Sequence, residues 1–228
     1  ASGLQEALTA CETDKTVRAI VLTGNGKAFS AGQDLQEVTD PDLNPGFQKI
    51  LNDYNTIILQ LRNIEKPIIA AVNGVAAGAG ANIALACDIV IASEAASFIQ
   101  AFSKIGLIPD SGGTFLLPRL IGFQKASALA MLGDKVNAAE AERLGMIYRC
   151  VPADTFQEEI HTLAQKLANM PTKGLGLTKK ALNASLKNDL EAQLAVEFDL
   201  QIEASKTHDY NEGVNAFIEK RKPVFKGK

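Results

Sequence analysis

The sequence predicts an α/β fold followed by a helical C-terminal region. In the first half of the 228 residues, short β-branched runs that end at a turn alternate with segments whose apolar residues recur at helical spacing. The last third consists of amphipathic helices in succession. Short crossovers between buried strands indicate a largely parallel sheet built from βαβ units. We place an α/β core at residues 1–170 and a helical region at residues 171–228.

The individual elements follow from local patterns. The run VRAIVLTG is β-branched and ends in glycine, as a buried strand does, and KPIIAAVNG begins near a proline and stops at Asn-Gly. Strands are predicted at 17–24, 66–74, 89–93, 96–102 and 146–151. Helices are predicted at 3–12, 46–63, 114–133 and 138–145, after the glycines of 73–88, and at 155–170, 176–187, 190–205 and 210–221.

Composition argues against several classes of protein. The chain is 46% hydrophobic and 21% charged, an ordinary balance for a globular domain. A net charge of −3 gives no reason to expect nucleic acid as a partner, and no apolar run is long enough to span a membrane. The N-terminal segment is helix-like and lacks the apolar stretch of a secretory signal. We therefore expect a cytoplasmic protein that binds neither membranes nor nucleic acids.

The cysteines and histidines form no reactive or metal-binding pattern. Cys11, Cys87 and Cys150 are too widely spaced for a disulfide framework or a zinc signature. His161 and His208 lie in polar helical contexts, away from any Ser-Gly or Cys motif. We expect reduced structural thiols, no metal ion, and no Ser-His or Cys-His nucleophile.

Two glycine-rich segments, 24–35 and 73–88, each follow a predicted strand. In the first, Ala28 stands where a phosphate-binding P-loop needs Ser or Thr, so that motif is rejected. In the second, Ile83 stands at the third glycine position of a dinucleotide fingerprint, which leaves dinucleotide binding only as an alternative. Small side chains let a ligand approach the backbone, and the start of a helix leaves N–H groups unpaired. At one end of a sheet the two loops could direct two N–H donors at one oxygen, forming an oxyanion hole, or they could simply be tight turns.

The segment GLIPDSGGTF, residues 106–115, places the carboxylate of Asp110 after a proline and before a Ser-Gly-Gly turn. Aspartate is a common turn residue and a good helix N-cap, which would give it a structural role. A carboxylate in a pocket could instead carry a proton during catalysis. The local residues leave both interpretations open.

Three longer segments carry a family resemblance. They are KAFSAGQDL, AAVNGVAAGAGANIALACDIVIAS and GLIPDSGGTFLLPRLIG, which occur in this order with sensible spacing. With them the chain resembles the crotonase (enoyl-CoA hydratase/isomerase) superfamily over nearly its whole length, down to NEGVNAFIEKRKPVF. Within the superfamily, GVAAGAGA, AFSKIGLIPDSGGT and PTKGLGL are most similar to the branch that isomerises the ring 1,2-epoxide of phenylacetyl-CoA in phenylacetate degradation.

The resemblance implies a fold, an assembly and a substrate class. The implied fold is the crotonase (ClpP-like) fold, with repeated ββα-type units and a C-terminal helical trimerisation region. The implied assembly is a homotrimer or a hexamer. The implied substrate is an acyl-CoA thioester, so coenzyme A enters as part of the substrate and no separate cofactor is expected.

The resemblance also implies roles for particular positions. The backbone N–H groups of Gln33 and Ala79 fall where the family holds the thioester oxygen. Phe217 and Lys220, in the C-terminal helix, fall where a neighbouring subunit often touches the nucleotide. The other positions expected to contact coenzyme A or the acyl group are Ala31, Asp34, Leu35, Gly78, Asn82 and Phe102.

The chain departs from the hydratases of the family at two positions. Those enzymes carry two glutamates that hold and activate water, and the matching residues here are Asn82 and Phe102. Neither an amide nor a phenyl ring can act as a carboxylate base. Asp110 lies where several isomerases of the superfamily place an aspartate, so it is expected to be the sole acid or base left in the pocket.

These observations predict an acyl-CoA isomerase, with two alternatives. One is a hydratase or other hydro-lyase in which Asp110 activates water, and the other is a non-catalytic homologue that binds coenzyme A or a dinucleotide. The loop 39–45 borders the acyl pocket in the family, so it is expected to act as a lid. Relatives also carry an N-terminal β-hairpin that this sequence lacks, and without it the sheet is expected to have an unpaired edge.

Overall fold

The computed structural model describes residues 1–40, 42 and 45–228 and, within these, every side chain except that of Leu35. Its strands form two four-stranded sheets. The first sheet has the order β1-β3-β5-β8, with every neighbouring pair parallel. Its strands are β1 (Ile20–Thr23), β3 (Ile68–Val72), β5 (Ile89–Ser93) and β8 (Arg149–Val151).

The second sheet consists of shorter strands in the order β2-β4-β6-β7. Its pairs are parallel except for β6 and β7, which run antiparallel. Its strands are β2 (Ala28–Ser30), β4 (Val75–Ala77), β6 (Ser97–Ile99) and β7 (Lys135–Asn137). From β1 to β6, successive strands alternate between the two sheets and a helical segment follows each pair, which is the repeated ββα arrangement that the family resemblance implies.

Helices cover the sheets and make up the C-terminal region. A short 3-10 helix, Ala101–Ile105, follows β6. The α-helices are α1 (Ser2–Thr13), α2 (Leu35–Thr39), α3 (Phe47–Asn63), α4 (Ala79–Ala86), α5 (Gly113–Ile121), α6 (Phe123–Leu132), α7 (Ala138–Arg143), α8 (Phe156–Ala168), α9 (Thr172–Ser185), α10 (Leu190–Ser205) and α11 (His208–Ile218).

The sequence-based element assignments are confirmed for the longer elements and wrong for three short strands. The prediction of one largely parallel sheet missed β2, β4 and β7, because each spans only three residues and none is a β-branched run. The single helix predicted at 114–133 is two helices, since Gly122 has φ of 76° between α5 and α6.

The central strand β3 shows why the core has two sides. All five of its residues are buried, and successive side chains point to opposite faces. Ile68 and Val72 belong to the larger apolar cluster, which includes α3 and α4. Ile69 and Ala71 belong to a second cluster with α8. The strand is therefore apolar throughout rather than alternating.

The parallel pairing of β2 with β4 places the candidate site. Ala28 pairs with Val75 and Ser30 with Ala76, so both strands end at the same edge of the second sheet. The chain leaves β2 through Ala31 and Gly32 and leaves β4 through Gly78 into α4. Pairing of two short strands thus brings together segments that lie far apart in sequence.

The C-terminal helices differ in how closely they join the core. Gly176 of α9 packs against the chain after α3, where a Cβ would lie 2.5 Å from the carbonyl oxygen of Glu65. Lys179 of the same helix is buried and binds Asp88 at 2.9 Å. On α10, by contrast, exposed apolar residues recur every four positions, at Leu190, Leu194, Phe198 and Ile202. The boundary proposed at residue 170 stays a prediction.

Two features bear on the chemistry of the chain. Cys11, Cys87 and Cys150 are free thiols, and burial raises the pKa of Cys87 to about 12. Each helix within the described ranges is too short or too polar to cross a membrane.

Candidate active site

The loop after β2 presents a free backbone donor. Gly32 has φ of 87°, a conformation that favours glycine, and its N–H bonds Ser30 Oγ at 3.2 Å. No residue in the described part of the chain accepts the N–H of the following Gln33. The Gln33 side chain is engaged elsewhere, since Nε2 donates to Glu37 Oε2 at 2.8 Å. The main chain of Gln33 is therefore left available to a ligand.

The loop after β4 presents a second donor at the start of α4. Gly78 has φ of 54° and ψ of −128°, and no side chain caps the helix. Ala81 and Asn82 bond back to the Gly78 carbonyl, at 3.1 Å and 3.3 Å. Among the described residues, none accepts the N–H of Ala79, as is typical of a first helical turn.

The two loops are in direct contact. A Cβ on Gly32 would lie 3.0 Å from the Ala77 carbonyl oxygen and 3.4 Å from the Ala79 nitrogen. A Cβ on Gly80 would lie 2.5 Å from Ser30 Oγ. Glycine is required at these positions because the two backbones approach this closely. The unpaired N–H groups predicted from the sequence therefore lie on adjoining turns.

Asp110 lies in a tight turn that precedes α5. Its carbonyl oxygen accepts the Gly113 N–H at 2.8 Å, and its carboxylate Oδ1 accepts the Ser111 hydroxyl at 2.8 Å. The N-cap of α5 is Gly112, and no side chain caps that helix. The N-cap explanation for Asp110 is therefore wrong, because the carboxylate is not bonded to the helix start.

The surroundings of Asp110 favour a carboxylate that binds protons more readily than usual. The side chain is half-buried, and burial raises its pKa, while the hydrogen bond from Ser111 opposes that rise. The pKa of Tyr54, on α3, is raised by burial and then by the negative charges of Asp110 and Glu37. The Tyr54 hydroxyl is thus influenced electrostatically by both carboxylates.

Tyr54 and Glu37 were missed by reasoning from the sequence. Tyr54 was counted only among the apolar positions of α3, and Glu37 carried no motif. Tyr54 lies on α3, which packs against the Asp110 turn, where a Cβ on Gly112 would lie 3.4 Å from Ile58 of the same helix. Asp110 as the sole acid or base of the pocket stays a prediction, and the exposed Glu37 carboxylate is bonded to the Gln33 side chain.

Asn82 lies beneath the turn rather than at a pocket surface. It is 0% exposed, its Nδ2 donates to the Asp110 carbonyl oxygen at 2.8 Å, and its Oδ1 accepts from Gln100 Nε2 at 2.8 Å. The sequence placed Asn82 among substrate-contacting residues. In the structure this face of α4 packs against the Asp110 turn instead. The amide nitrogen and the amide oxygen of Asn82 are therefore both hydrogen-bonded within the protein.

Phe102 forms an apolar wall next to the second loop. It is 6% exposed, and its ring lies 3.8 Å from the position of a Cβ on Gly78. The sequence predicts a strand that includes Phe102, but in the structure Phe102 belongs to the 3-10 helix that follows β6. The position carries no group that could hold or activate water.

The remaining predicted contacts lie near the first loop or in the C-terminal region. Ala31 is exposed, and Asp34 caps α2 by accepting the Gln36 N–H at 2.9 Å. The side chain of Leu35 lies outside the described part of the structure. Phe217 is 85% exposed on α11, whereas Lys220 lies beyond the end of that helix with φ of 54°. The assignment of Lys220 to the helix was therefore wrong.

The structure describes only part of the loop 39–45, which the sequence predicts to act as a lid. Thr39 ends α2, and the Asp42 N–H bonds Asp40 Oδ1 at 2.9 Å. The other three positions between Asp40 and Pro45, including Pro41, lie outside the described residues. The role of this loop stays a prediction.

A cavity of about 500 Å³ lies beside the Asp110 turn. Pro109 and Gly113, on either side of Asp110, line it together with apolar residues of α5 and α6, including Leu117, Phe123 and Met131. Neither of the two loops contributes to its lining. Within the described ranges, no group of three His, Cys, Asp or Glu side chains could hold a metal ion.

Comparison with known proteins gives a family for this arrangement. The model of the enoyl-CoA hydratase/isomerase family matches residues 1–228. The chain is 47% identical to the 1,2-epoxyphenylacetyl-CoA isomerase of Escherichia coli, over 99% of this chain and 87% of that protein. It is 46% identical to a probable enoyl-CoA hydratase of Rhodobacter capsulatus, over 92% and 82%.

Solved structures agree with the sequence relatives. An enoyl-CoA hydratase from Bacillus anthracis superposes with a TM-score of 0.93 at 34% identity, covering 100% of this chain and 88% of that one. The crystal structure of a putative enoyl-CoA hydratase from Streptomyces coelicolor gives a TM-score of 0.93 at 35% identity, covering 100% of this chain and 84% of that one. The chain therefore has the crotonase fold and belongs to the enoyl-CoA hydratase/isomerase family.

Proposed function

We propose that the protein is an acyl-CoA isomerase that stabilises an enolate and moves a proton with Asp110. The observation that carries this proposal is the half-buried carboxylate of Asp110, whose pKa is raised by burial, in a site where Asn82 and Phe102 supply no carboxylate. A carboxyl group with a raised pKa exchanges protons more effectively near neutral pH than an ordinary aspartate does.

The first step is binding of the thioester oxygen. The N–H groups of Gln33 and Ala79 donate to this oxygen, and both are free of other acceptors within the described chain. Removal of an α-proton turns the carbonyl into an enolate, whose oxygen carries more negative charge and binds the donors more strongly. Loss of one such donor in an oxyanion hole costs about 2.7–4 kcal/mol.

The second step returns the proton at another carbon. Asp110 removes the proton from the α-carbon, the electron pair of that C–H bond enters the enolate, and the protonated carboxyl delivers a proton to the γ-carbon. The double bond moves by one position, and the substrate gains and loses no atoms. One carboxylate, that of Asp110, serves both transfers.

The favoured acyl group is the ring 1,2-epoxide of phenylacetyl-CoA. The ring bond between the two epoxide carbons would break, and its electron pair would shift with the two ring double bonds to give a seven-membered oxepin. The same transfer of a proton from the α-carbon to the γ-carbon would then move the new β,γ double bond into conjugation with the thioester. The similarity to the Escherichia coli 1,2-epoxyphenylacetyl-CoA isomerase supports this substrate. The apolar ring of Phe102 next to Gly78 suits a reaction that excludes water. Simple 3-enoyl-CoA thioesters are a second substrate class for the same steps.

Hydration of an enoyl-CoA is the second candidate function. The names of the Rhodobacter capsulatus relative and of the matching structures favour it. In that case Asp110 would activate the water. The amide at Asn82 and the phenyl ring at Phe102 argue against it, since neither can serve as a base.

Assembly and location follow the family. We propose a homotrimer or a hexamer, and the exposed apolar stripe Leu190, Leu194, Phe198 and Ile202 on α10 supports self-association. We propose a cytoplasmic location and no cofactor apart from the coenzyme A of the substrate.

Mass-resolved product analysis separates the candidate reactions. The purified protein is supplied with the phenylacetyl-CoA ring epoxide, a 3-enoyl-CoA and a 2-enoyl-CoA in separate reactions. Isomerisation gives products of unchanged mass from the first two, whereas a product heavier by one water from the 2-enoyl-CoA would favour the hydratase. Protection against thermal unfolding by coenzyme A but not by NAD tests thioester binding independently of turnover.

A further inference from the structure

We propose that the buried amides of Asn82 and Gln100 form a positioning pair that holds the Asp110 turn in its catalytic geometry. This inference rests on the proposed function, because it assigns a purpose to groups that do not touch the substrate. The pair runs from Gln100 Nε2 to Asn82 Oδ1 and from Asn82 Nδ2 to the Asp110 carbonyl oxygen, each bond being 2.8 Å long.

The chemistry of the three groups fixes the direction of the pair. The Asp110 carbonyl can only accept a hydrogen bond, so Asn82 must direct its NH₂ group toward it. The Asn82 oxygen then faces Gln100, which must direct its own NH₂ group inward. The amide at position 82 supplies a donor on one side and an acceptor on the other, whereas an apolar residue supplies neither, and both Asn82 and Gln100 are buried.

Glycine at position 113 makes this contact possible. A Cβ on Gly113 would lie 2.4 Å from Asn82 Nδ2, so any larger residue would displace the amide from the Asp110 carbonyl. The same carbonyl also accepts the Gly113 N–H at 2.8 Å. Two donors thus hold one oxygen, while Ser111 holds the carboxylate of the same residue. The backbone carbonyl and the side-chain carboxylate of Asp110 are therefore both held by hydrogen bonds from neighbouring residues.

The orientation of Gln100 points to a positioning role rather than to stability alone. Its Oε1 is buried, and no described residue donates to it. A buried unpaired acceptor lowers stability. Replacing Gln100 by Leu removes this unpaired oxygen but leaves Asn82 Oδ1 without its donor, so the number of unpaired buried oxygens stays the same. The fold therefore gains little stability from Gln100, whereas the orientation of Asn82 depends on it.

The first test is steady-state kinetics of Asn82→Leu, with Asn183→Leu as the matched control. Asn183 also donates to a backbone carbonyl, that of Arg62 at 2.7 Å, but lies on α9. We expect kcat of Asn82→Leu to fall about 10–100-fold with KM within about twofold of wild type, since small displacements of a catalytic group have effects of this size. Asn183→Leu should retain wild-type kcat after correction for folded protein.

The second test keeps the proposal falsifiable where Asn82→Leu does not fold. Gln100→Leu should keep the melting temperature near that of wild type and still lower kcat. Gly113→Ala should lower kcat by displacing the Asn82 amide sterically. The double variant Asn82→Leu/Gln100→Leu should be no slower than Asn82→Leu alone, because the two amides act in series.

Comparison with Asp110→Asn separates failure of this inference from failure of the proposed function. Loss of turnover in Asp110→Asn together with wild-type kcat in Asn82→Leu, or in both Gln100→Leu and Gly113→Ala, would overturn the positioning pair alone. Full turnover in Asp110→Asn would overturn the proposed function and the pair with it. An equal kcat loss in Asn82→Leu and Asn183→Leu would reduce the pair to a general effect on folding and overturn it.

Discussion

The Ser111 hydroxyl donates a 2.8 Å hydrogen bond to the carboxylate of Asp110. Ser111 is 2% exposed and has φ of 50°, so a fully buried residue in the left-handed region makes this contact. The bond favours the ionised carboxylate and opposes the rise in pKa that burial causes. The pKa of Asp110 therefore reflects opposing effects: burial, the largest, raises it, whereas the Ser111 bond and a hydrogen bond with its own backbone lower it.

Ser111→Ala should shift the pH dependence of turnover. Asp110 must be ionised to remove the α-proton, so kcat/KM rises with pH through the pKa of its carboxyl group. Loss of the Ser111 bond raises that pKa further, and the acid limb should move to higher pH. The measurement is kcat/KM against pH, with the exposed Ser205→Ala as control. An acid limb that stays in place or moves to lower pH would contradict the assignment.

Asp110→Asn should raise stability at neutral pH. Because the pKa of folded Asp110 lies above its unfolded value, its stabilising contribution is present below the unfolded pKa and is lost as pH rises through the folded pKa. Asparagine does not titrate. The free energy of unfolding of the variant should therefore exceed that of wild type by a growing margin as pH rises from the unfolded pKa of Asp110 through its folded pKa. Denaturant unfolding at several pH values measures the difference, and a gap that narrows toward neutral pH would oppose the account.

Gly80→Ala should force the two donor loops apart. The new methyl group would lie 2.5 Å from Ser30 Oγ and 2.6 Å from the Ser30 carbonyl oxygen. Overpacking of this kind costs about 1–3 kcal/mol in free energy of unfolding, and displacement of Ala79 should also lower kcat. Gly174→Ala is the control, because its Cβ has room on α9 and should stabilise the helix by about 0.4–1 kcal/mol. Equal activity of both variants would show that loop contact is unimportant.

Phe102→Ala should weaken both the fold and the exclusion of water. Truncating a buried phenylalanine costs about 3–5 kcal/mol in free energy of unfolding, and the space opened beside Gly78 should admit solvent. Phe102→Leu keeps most of the volume and should behave more like wild type. Unfolding curves and product masses are measured together. Wild-type stability and no change in product for Phe102→Ala would remove the ring from the site.

The sequence predicts the long elements and the two loops well because their signals are local. Strand β3 is a continuous apolar run, and the glycine clusters that contain Gly32 and Gly78 are visible directly in the sequence. Strands β2 and β4 could not be predicted from the sequence, since a three-residue strand is defined by its pairing and not by its composition.

The surroundings of Asp110 depend on contacts between distant parts of the chain. Asn82 bonds the Asp110 carbonyl across 28 residues, and Ile58 of α3 packs against Gly112 of the same turn. A motif shows that an amide follows the glycine-rich turn but not which way the amide faces. Burial and direction of a side chain therefore had to come from the three-dimensional packing.

The most direct test of the role of Asp110 compares Asp110→Asn with wild type on the phenylacetyl-CoA ring epoxide and on a 3-enoyl-CoA. Circular dichroism confirms the fold, and equilibrium binding of a saturated acyl-CoA confirms that the donor loops are intact. The account predicts unchanged thioester binding and a loss of kcat of about 10²–10⁴-fold, the usual contribution of a general acid–base group. Turnover of either substrate within a few-fold of wild type would contradict the assignment of Asp110 as the group that moves the proton.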